Sequence, residues 1–309
     1  MMANTKIEYA DGNGTRFRRV KMCEKLFPPL RYPGSKWNIV DWIISFMPEH
    51  HAYLEPFIGG GSVLFSKKPV GYETINDLNG DVVNLFKVIR EQPERLAEIV
   101  AYTPYSRAEF DMAWECSENI DELERARIFL VKCWQGFGAR LSSKPGWSCE
   151  VKPGGRYNSI VNRWNRVPEA IMFATNRLKN VQIENMDAIK LIKRYQNDEI
   201  LIYADPPYLS QTRTGGKYYS NEMADDKHIE LLETLKKHKG PVLLSGYDSD
   251  LYNNLLKGWT KKQLSTTTEK GQTRIETLWL NPVVINKLEK ENNQLNLFKE
   301  SCLLKCHSK

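Results

Sequence analysis

Asp205-Pro206-Pro207-Tyr208 follows the apolar run Ile200-Leu201-Ile202-Tyr203-Ala204. Together they offer the groups needed to hold an amino group on a flat heterocycle. An exocyclic aromatic amine is a poor nucleophile because its lone pair is delocalised into the ring, so two acceptors must turn that lone pair toward an electrophile such as a methyl sulfonium. The Asp205 carboxylate and the Pro206 carbonyl can each accept one N–H, and Pro207 biases Pro206 toward an extended conformation that fixes its carbonyl. Tyr208 offers a face for stacking, worth about 1–3 kcal/mol per base, against the few kcal/mol that extruding a base from a duplex costs. Positioning and charge stabilisation would carry the catalysis. The competing reading of these four residues is an ordinary strand-to-loop turn.

The run before Asp205 is short, apolar and rich in branched and aromatic residues, as in a buried parallel strand. Asp205 then falls at its carboxyl end, where open α/β sheets bind ligands. A second ligand loop should stand beside it. Ala52-Tyr53-Leu54 reads as a strand leading into Glu55-Pro56-Phe57-Ile58-Gly59-Gly60-Gly61-Ser62, where consecutive glycines let backbone approach a ligand. The loop lacks both common phosphate fingerprints. Leu64 stands where G-x-G-x-x-G needs its third glycine, and no Gly-Lys-Ser/Thr follows. A nucleoside cofactor without phosphate fits, and S-adenosylmethionine is one. Asp77 ends the next strand, 16 residues past Gly61, compatible with an acid that accepts ribose hydroxyls; its alternative is a helix cap. Asp187, also between strand and helix, is either an N-cap or a neighbour of the cofactor adenine. Arg31-Tyr32-Pro33-Gly34-Ser35-Lys36 reads by itself as a loop.

Strand and helix alternate over these segments: a helix over 35–47, strands at 52–54 and 72–75, a helix over 81–91, a strand at 181–184, a helix over 187–195, the strand at 200, a helix over 225–237, and a strand at 242–245. Two further extended runs lie near 259–267 and 277–280. This is the pattern of a mostly parallel α/β sheet. It breaks at 93–178, where helical segments reach about 132 and a Gly-, Pro- and Ser-rich stretch over 137–158 could hold a hairpin. In Arg140 to Arg166 the bases Arg140, Lys144, Lys152, Arg156, Arg163 and Arg166 stand against one acid, Glu150, with Trp147, Tyr157 and Trp164 among them. Such interleaving suits a phosphate-tracking surface that also touches bases; a solvated basic loop is the alternative.

The 309 residues carry 44 basic and 38 acidic side chains, a net charge of +6 and a pI near 8.8. These values permit a nucleic-acid partner. No apolar run approaches the length of a membrane span, the mean hydropathy is −0.51, and the basic N-terminal segment lacks the apolar stretch of a secretory signal. The expectation is a cytoplasmic protein, monomeric or at most weakly dimeric, with no membrane contact. Of six cysteines, Cys23, Cys116, Cys133 and Cys149 are scattered, and free thiols are the reading. Cys302, Cys306 and His307 have too few companion ligands for a zinc site, so no metal is expected.

In this order, Arg31–Lys36, Glu55–Ser62, Asn76-Asp77-Leu78-Asn79 and Asp205–Tyr208 together resemble the motif set of Dam-type DNA adenine-N6 methyltransferases, the D12 class of bacteria and phages. Ser245-Gly246-Tyr247-Asp248 and Glu276-Thr277-Leu278-Trp279 also look like family segments, so the resemblance covers about residues 28–285. It implies a Rossmann-like, S-adenosylmethionine-dependent methyltransferase sheet of seven strands, mostly parallel with the last inserted antiparallel. It also implies a mainly helical target-recognition insertion. By resemblance, residues 28–92 and 179–285 form the catalytic domain and 93–178 the insertion, between an extension at 1–27 and a tail at 286–309. The reaction implied is methyl transfer to adenine N6 in a specific duplex sequence, with the base flipped into the Asp205–Tyr208 pocket. Cytosine N4 methylation, or a catalytically silent DNA-binding protein of the same fold, are the alternatives. The resemblance makes Asp205, Pro206, Pro207 and Tyr208 catalytic. Tyr32, Lys36, Glu55, Pro56, Phe57, Gly59, Gly61, Asp77, Asp187 and Asp205 are expected around the cofactor, and Arg140, Lys144, Arg156 and Tyr157 on DNA.

Overall fold

A computed structural model describes residues 28–116, 120–139, 141–150, 160–209, 223–267 and 273–306. Its centre is one seven-stranded sheet of β1 (Ala52–Glu55), β2 (Tyr72–Asn76), β3 (Val181–Glu184), β4 (Ile200–Ala204), β5 (Val242–Gly246), β6 (Thr260–Thr267) and β7 (Thr273–Leu280). The spatial order is β3-β2-β1-β4-β5-β7-β6. β1 to β5 are mutually parallel, and β7 runs antiparallel between β5 and β6. This is the expected sheet. The chain leaves β1 toward β2 and β3, then returns to lay β4 on the other side of β1, so the carboxyl ends of β1 and β4 flank the crevice where strand order reverses.

Alternate residues along the central strands feed two apolar layers. Tyr53, Leu201, Tyr203, Leu243, Leu278 and Leu280 point into one, and Leu54, Ile202, Ala204, Leu244 and Trp279 into the other. The second layer is closed by α9 (Ala188–Arg194), α10 (Asp225–Lys236) and α11 (Asp250–Leu255). The first is closed by α1 (Val40–Ile44), α2 (Ser62–Ser66), α3 (Gly80–Glu91) and the helices of the 93–178 region: α4 (Pro93–Ala101), α5 (Arg107–Glu115), α6 (Glu122–Gln135), α7 (Ile160–Trp164) and α8 (Val167–Leu178). These are not an appended body: α3 packs on α6 and α8, α4 packs on α8, and Leu96, Leu130, Trp164 and Ile171 share one core with Leu85 and Phe86 of α3.

Several boundaries follow local chemistry. Asn79 caps α3 through the Asp81 N–H, Ser106 caps α5, and Asp121 caps α6. The helix expected over 35–47 is shorter: a 3-10 turn at Trp37–Ile39 precedes α1. Gly34 at φ 75° and the Ser35 N–H to Tyr32 carbonyl bond hold the preceding residues in a turn instead. The hairpin expected within 137–158 is represented by one antiparallel bridge, Gly136 to Trp147; residues 151–159 lie outside the described ones. α12 (Pro282–Cys306) makes the C-terminal tail helical to Cys306.

Candidate active site

β1 ends at Glu55, which is 2 % exposed and accepts a hydrogen bond from Tyr53 Oη at 2.8 Å. The glycine loop then turns back on the protein itself. Gly59 has φ 47° and Gly61 φ 71°; a Cβ on Gly59 would meet the Tyr32 ring at 2.9 Å, and one on Gly61 the Phe65 ring at 2.6 Å. These glycines therefore let Tyr32 and Phe65 seat against the loop, and they also line the cavity described below. Asn76, at the end of β2 and 1 % exposed, holds three segments together. Its Nδ2 donates to the carbonyls of Pro56 and Met186, its Oδ1 accepts from Met186 N, and its own carbonyl accepts from Ile58 N.

Asp77 follows directly. Its two carboxylate oxygens accept from the Gly59 and Asn79 backbone N–H groups at 3.0 and 2.9 Å, which ties the glycine loop to the end of β2. Burial pushes its carboxyl up to about 6, although the N–H groups of Asn79, Gly59 and Leu78 pull the other way. The cap of α3 is Asn79, so Asp77 is not spent on that task. Asp187 does cap α9, accepting from Lys190 N at 2.9 Å, and it also faces the cavity described below.

Across the crevice, Asp205 follows β4 with its side chain 17 % exposed, and Lys36 Nζ lies 2.7 Å from its Oδ2. The same ammonium donates to the Gly34 carbonyl at 2.8 Å and sits 4.8 Å from the centre of the Tyr208 ring. Tyr208 is buried, packs edge-on against Tyr247 with centroids 4.4 Å apart, and donates to Glu276 Oε2 at 3.2 Å. Burial pushes the Asp205 carboxyl above the ordinary carboxylate value and nearby Glu276 adds to this, while the Lys36 ammonium opposes it.

These groups surround one cavity of about 250 Å³. All ten residues expected around the cofactor line it: Tyr32, Lys36, Glu55, Pro56, Phe57, Gly59, Gly61, Asp77, Asp187 and Asp205. Pro207 also lines it, while Pro206 and Tyr208 are buried beside it. The wall holds four carboxyl groups against the ammoniums of Lys36 and Lys227, with Phe57, Ile58 and Ile189 as apolar surface. That donor set suits a cationic nucleoside and offers no phosphate cradle.

The family model for the D12 class N6 adenine-specific DNA methyltransferase matches residues 32–273, most of the chain. The chain belongs to that class. It transfers methyl from S-adenosylmethionine to the N6 amino group of adenine in DNA. Among curated relatives it is 28 % identical over 265 residues to the type II methyltransferase M1.LlaDCHI of Lactococcus lactis subsp. cremoris, covering 80 % of this chain and 90 % of the relative. It is 28 % identical over 270 residues to the type II methyltransferase M.MjaIII of Methanocaldococcus jannaschii, covering 77 % and 90 %. To the DNA adenine methylase of Escherichia coli strain K12 it is 24 % identical over 234 residues, covering 72 % and 81 %.

The expected DNA contacts of this methyltransferase are only partly visible. Arg140, Arg156 and Tyr157 lie outside the described residues. Lys144 is surface-exposed and pairs with Asp111 at 2.7 Å. Nearby, Arg107 stacks on Trp147 with its guanidinium carbon 4.9 Å from the ring centre, and Trp147 in turn packs on Tyr105. Among the described residues no His, Cys, Asp and Glu cluster could hold a metal ion, and no helix is long and apolar enough to cross a membrane. Cys116 and Cys149 are exposed free thiols and Cys133 a buried one.

Sequence reasoning missed the wall opposite the glycine loop. Met223 and Lys227, at the approach to and start of α10, line the cavity, as does Ile189 of α9. The apolar periodicity that marks α10 identifies its buried face and carries no signal for the residues at its N-terminal end. Asn76 was legible only as part of a motif; its bridging role depends on Met186, 110 residues away.

Proposed function

We propose that the methyltransferase acts at one sequence in duplex DNA and flips the target adenine out of the helix toward Asp205. N6 would donate one N–H to the Asp205 carboxylate and one to the Pro206 carbonyl, with the base against Tyr208. The observation that carries this reading is the placement of Asp205, at the carboxyl end of β4 and in the wall of the cavity shared with Asp77 and the glycine loop. A carboxylate set in the wall of a cavity does not reach an amine still stacked and paired within a duplex, which supports extrusion. Once the methylated sequence has been read from product DNA, a duplex carrying 2-aminopurine at the target tests the step. Its fluorescence should rise several-fold on binding, as an unstacked base does. Unchanged fluorescence with binding verified by anisotropy would remove flipping from the account.

The cavity lining supports S-adenosylmethionine as the ligand: carboxyl groups for a cation, Asp77 for a ribose, Asp187 with the apolar surface of Phe57 and Ile189 for an adenine, and no phosphate cradle. When bound, the cofactor supplies the electrophilic methyl group. Asp77→Ala removes the acceptor of two backbone N–H groups along with the ribose acceptor. Hydrogen bonds to a charged group are worth about 1.5–3 kcal/mol, so calorimetry should show the cofactor's Kd weakened roughly 10- to 100-fold. An unchanged Kd would remove Asp77 from the cofactor's contacts.

The Lys36 ammonium opposes the rise that burial imposes on the Asp205 carboxyl, so it acts on the reaction through its partner. Transfer needs the carboxylate, and activity rises with pH as Asp205 ionises. Lys36→Met removes the opposing ammonium and should move the acid limb of the single-turnover pH profile to higher pH, with the deficit largest in acid. A uniform loss at all pH values would speak against this coupling.

The 93–178 region is the proposed target-recognition insertion, set within a catalytic domain of 28–92 and 179–285. Its basic and aromatic stretch, Arg140, Lys144, Arg156 and Tyr157 included, is proposed to track phosphates and reach base edges.

A further inference from the structure

Glu55 has an environment that the proposed methyl-transfer geometry does not use. It is 2 % exposed yet lines the cavity. Among the described residues it forms no ion pair. The Lys36 ammonium in the cavity wall is engaged by Asp205, the Gly34 carbonyl and the Tyr208 ring. The neighbouring Lys67 ammonium, past α2, is engaged by Glu73 of β2 and lies 4.4 Å from the Tyr53 ring centre. The groups facing Glu55 are the Tyr53 hydroxyl on its own strand, Asp205 and Tyr203 at β4, Lys67 just past α2, and the Leu64 N–H of α2; Glu73 faces Tyr53 and Lys67. A buried carboxyl group with no cation of its own, facing a second carboxylate, is more stable carrying a proton.

We infer that Glu55 is a carboxylic acid in the ligand-free methyltransferase and that capture of the cofactor's cationic end ionises it, so that cofactor binding and proton release are one event. The inference rests on the reading of this cavity as the cofactor site. The balance is simple: the Glu55 O–H bond breaks, its proton leaves to solvent, and the carboxylate is neutralised by a positive charge of the ligand. That charge is either the methionine ammonium or the sulfonium. Burial, against the Tyr53 hydrogen bond and the Lys67 charge and reinforced by Asp205, holds the carboxyl up to about 8 in the ligand-free protein. At pH 7 it is therefore mostly protonated.

The arrangement also has a stability signature that needs no ligand. A carboxyl whose folded value is raised from 4.5 to about 8 binds its proton more tightly in the fold. Its contribution is therefore full below pH 4.5, is lost progressively as pH rises toward 8, and stays lost above.

The test is calorimetry of the full-length protein with S-adenosylmethionine and S-adenosylhomocysteine, each at pH 7 in two buffers of different ionisation enthalpy. S-adenosylmethionine should release most of a proton at pH 7, and its Kd should tighten about tenfold per pH unit between about pH 5 and 7, below the range in which the ligand's own α-amino group titrates. If S-adenosylhomocysteine releases the same proton, the partner is the ammonium, which both ligands carry; if it releases none, the partner is the sulfonium. Glu55→Gln, which keeps the shape of the protonated acid, should bind without proton release. It should also keep its melting temperature where the ligand-free wild type loses stability relative to it between pH 4.5 and 8. Binding by wild type with no proton release overturns the coupling and leaves the cofactor site standing. Absence of binding by a folded wild type overturns the cofactor site itself.

Discussion

Replacing Asp205 by alanine should lower the single-turnover rate of methyl transfer by about 10²–10³-fold, the cost of removing one preorganised polar group from a reacting centre. The argument is geometric. N6 of adenine must lose planarity to become a nucleophile, and the carboxylate at the end of β4 is the side-chain acceptor that this strand brings to the cavity. Lys36, 2.7 Å away, favours its ionised form against burial. Cofactor affinity should change much less, because Asp77 and the glycine loop are untouched. Asp205→Asn keeps one acceptor and loses the charge, so it should fall between wild type and Asp205→Ala. A rate within a few-fold of wild type for Asp205→Ala, at unchanged cofactor affinity, would refute the role.

The largest effect on stability should come from a residue far from the chemistry. Glu73 of β2 is 2 % exposed, and it accepts from Lys67 Nζ at 2.6 Å, from Arg177 Nη2 at 2.7 Å, and from Arg177 Nη1. Arg177 belongs to α8 and also donates to the Leu64 carbonyl of α2, so one carboxylate fastens the 93–178 region to the sheet. Glu73→Ala leaves two cations, 2 % and 9 % exposed, without their partner. Breaking a buried pair in this way costs about 3–5 kcal/mol, a large part of a domain's net stability, and should appear as an earlier urea midpoint. The pH dependence has a definite sign. Burial raises the Glu73 carboxyl, but the Arg177 and Lys67 hydrogen bonds outweigh it and hold it below 4.5. Its stabilisation is therefore full above that value and is lost as pH falls through the folded value, so wild type and Glu73→Ala should converge in acid. Equal midpoints at neutral pH would contradict the assignment.

The sheet was legible from residue types because its strands are short branched runs bounded by motif residues. β3 matches its expected bounds and β4 follows the run before Asp205. The site was legible for the same reason: Asp77 and Asp205 stand one step past β2 and β4, Glu55 ends β1 and Asp187 lies three residues past β3, at the carboxyl ends where a parallel sheet collects ligand groups. What stayed hidden depends on distant partners. Glu73 reads as an ordinary strand residue until Arg177, 104 positions on, is placed against it. Lys36 reads as a cation near a turn until its contact with Asp205 is seen. α2, α7 and α11 span six residues or fewer, too short for an apolar period to register. The glycine loop stood out by its composition, but its close packing against Tyr32 and Phe65 did not, because those contacts appear only once the fold is in place.

One measurement tests the central claim most directly: methylate unmodified genomic DNA with the purified protein and S-adenosylmethionine, in parallel with Asp205→Ala, and map modified bases by long-read sequencing. The account predicts N6-methyladenine at one recurring short sequence with wild type and none with Asp205→Ala. N4-methylcytosine, N6-methyladenine spread without sequence preference, or an equal pattern from both proteins would contradict it.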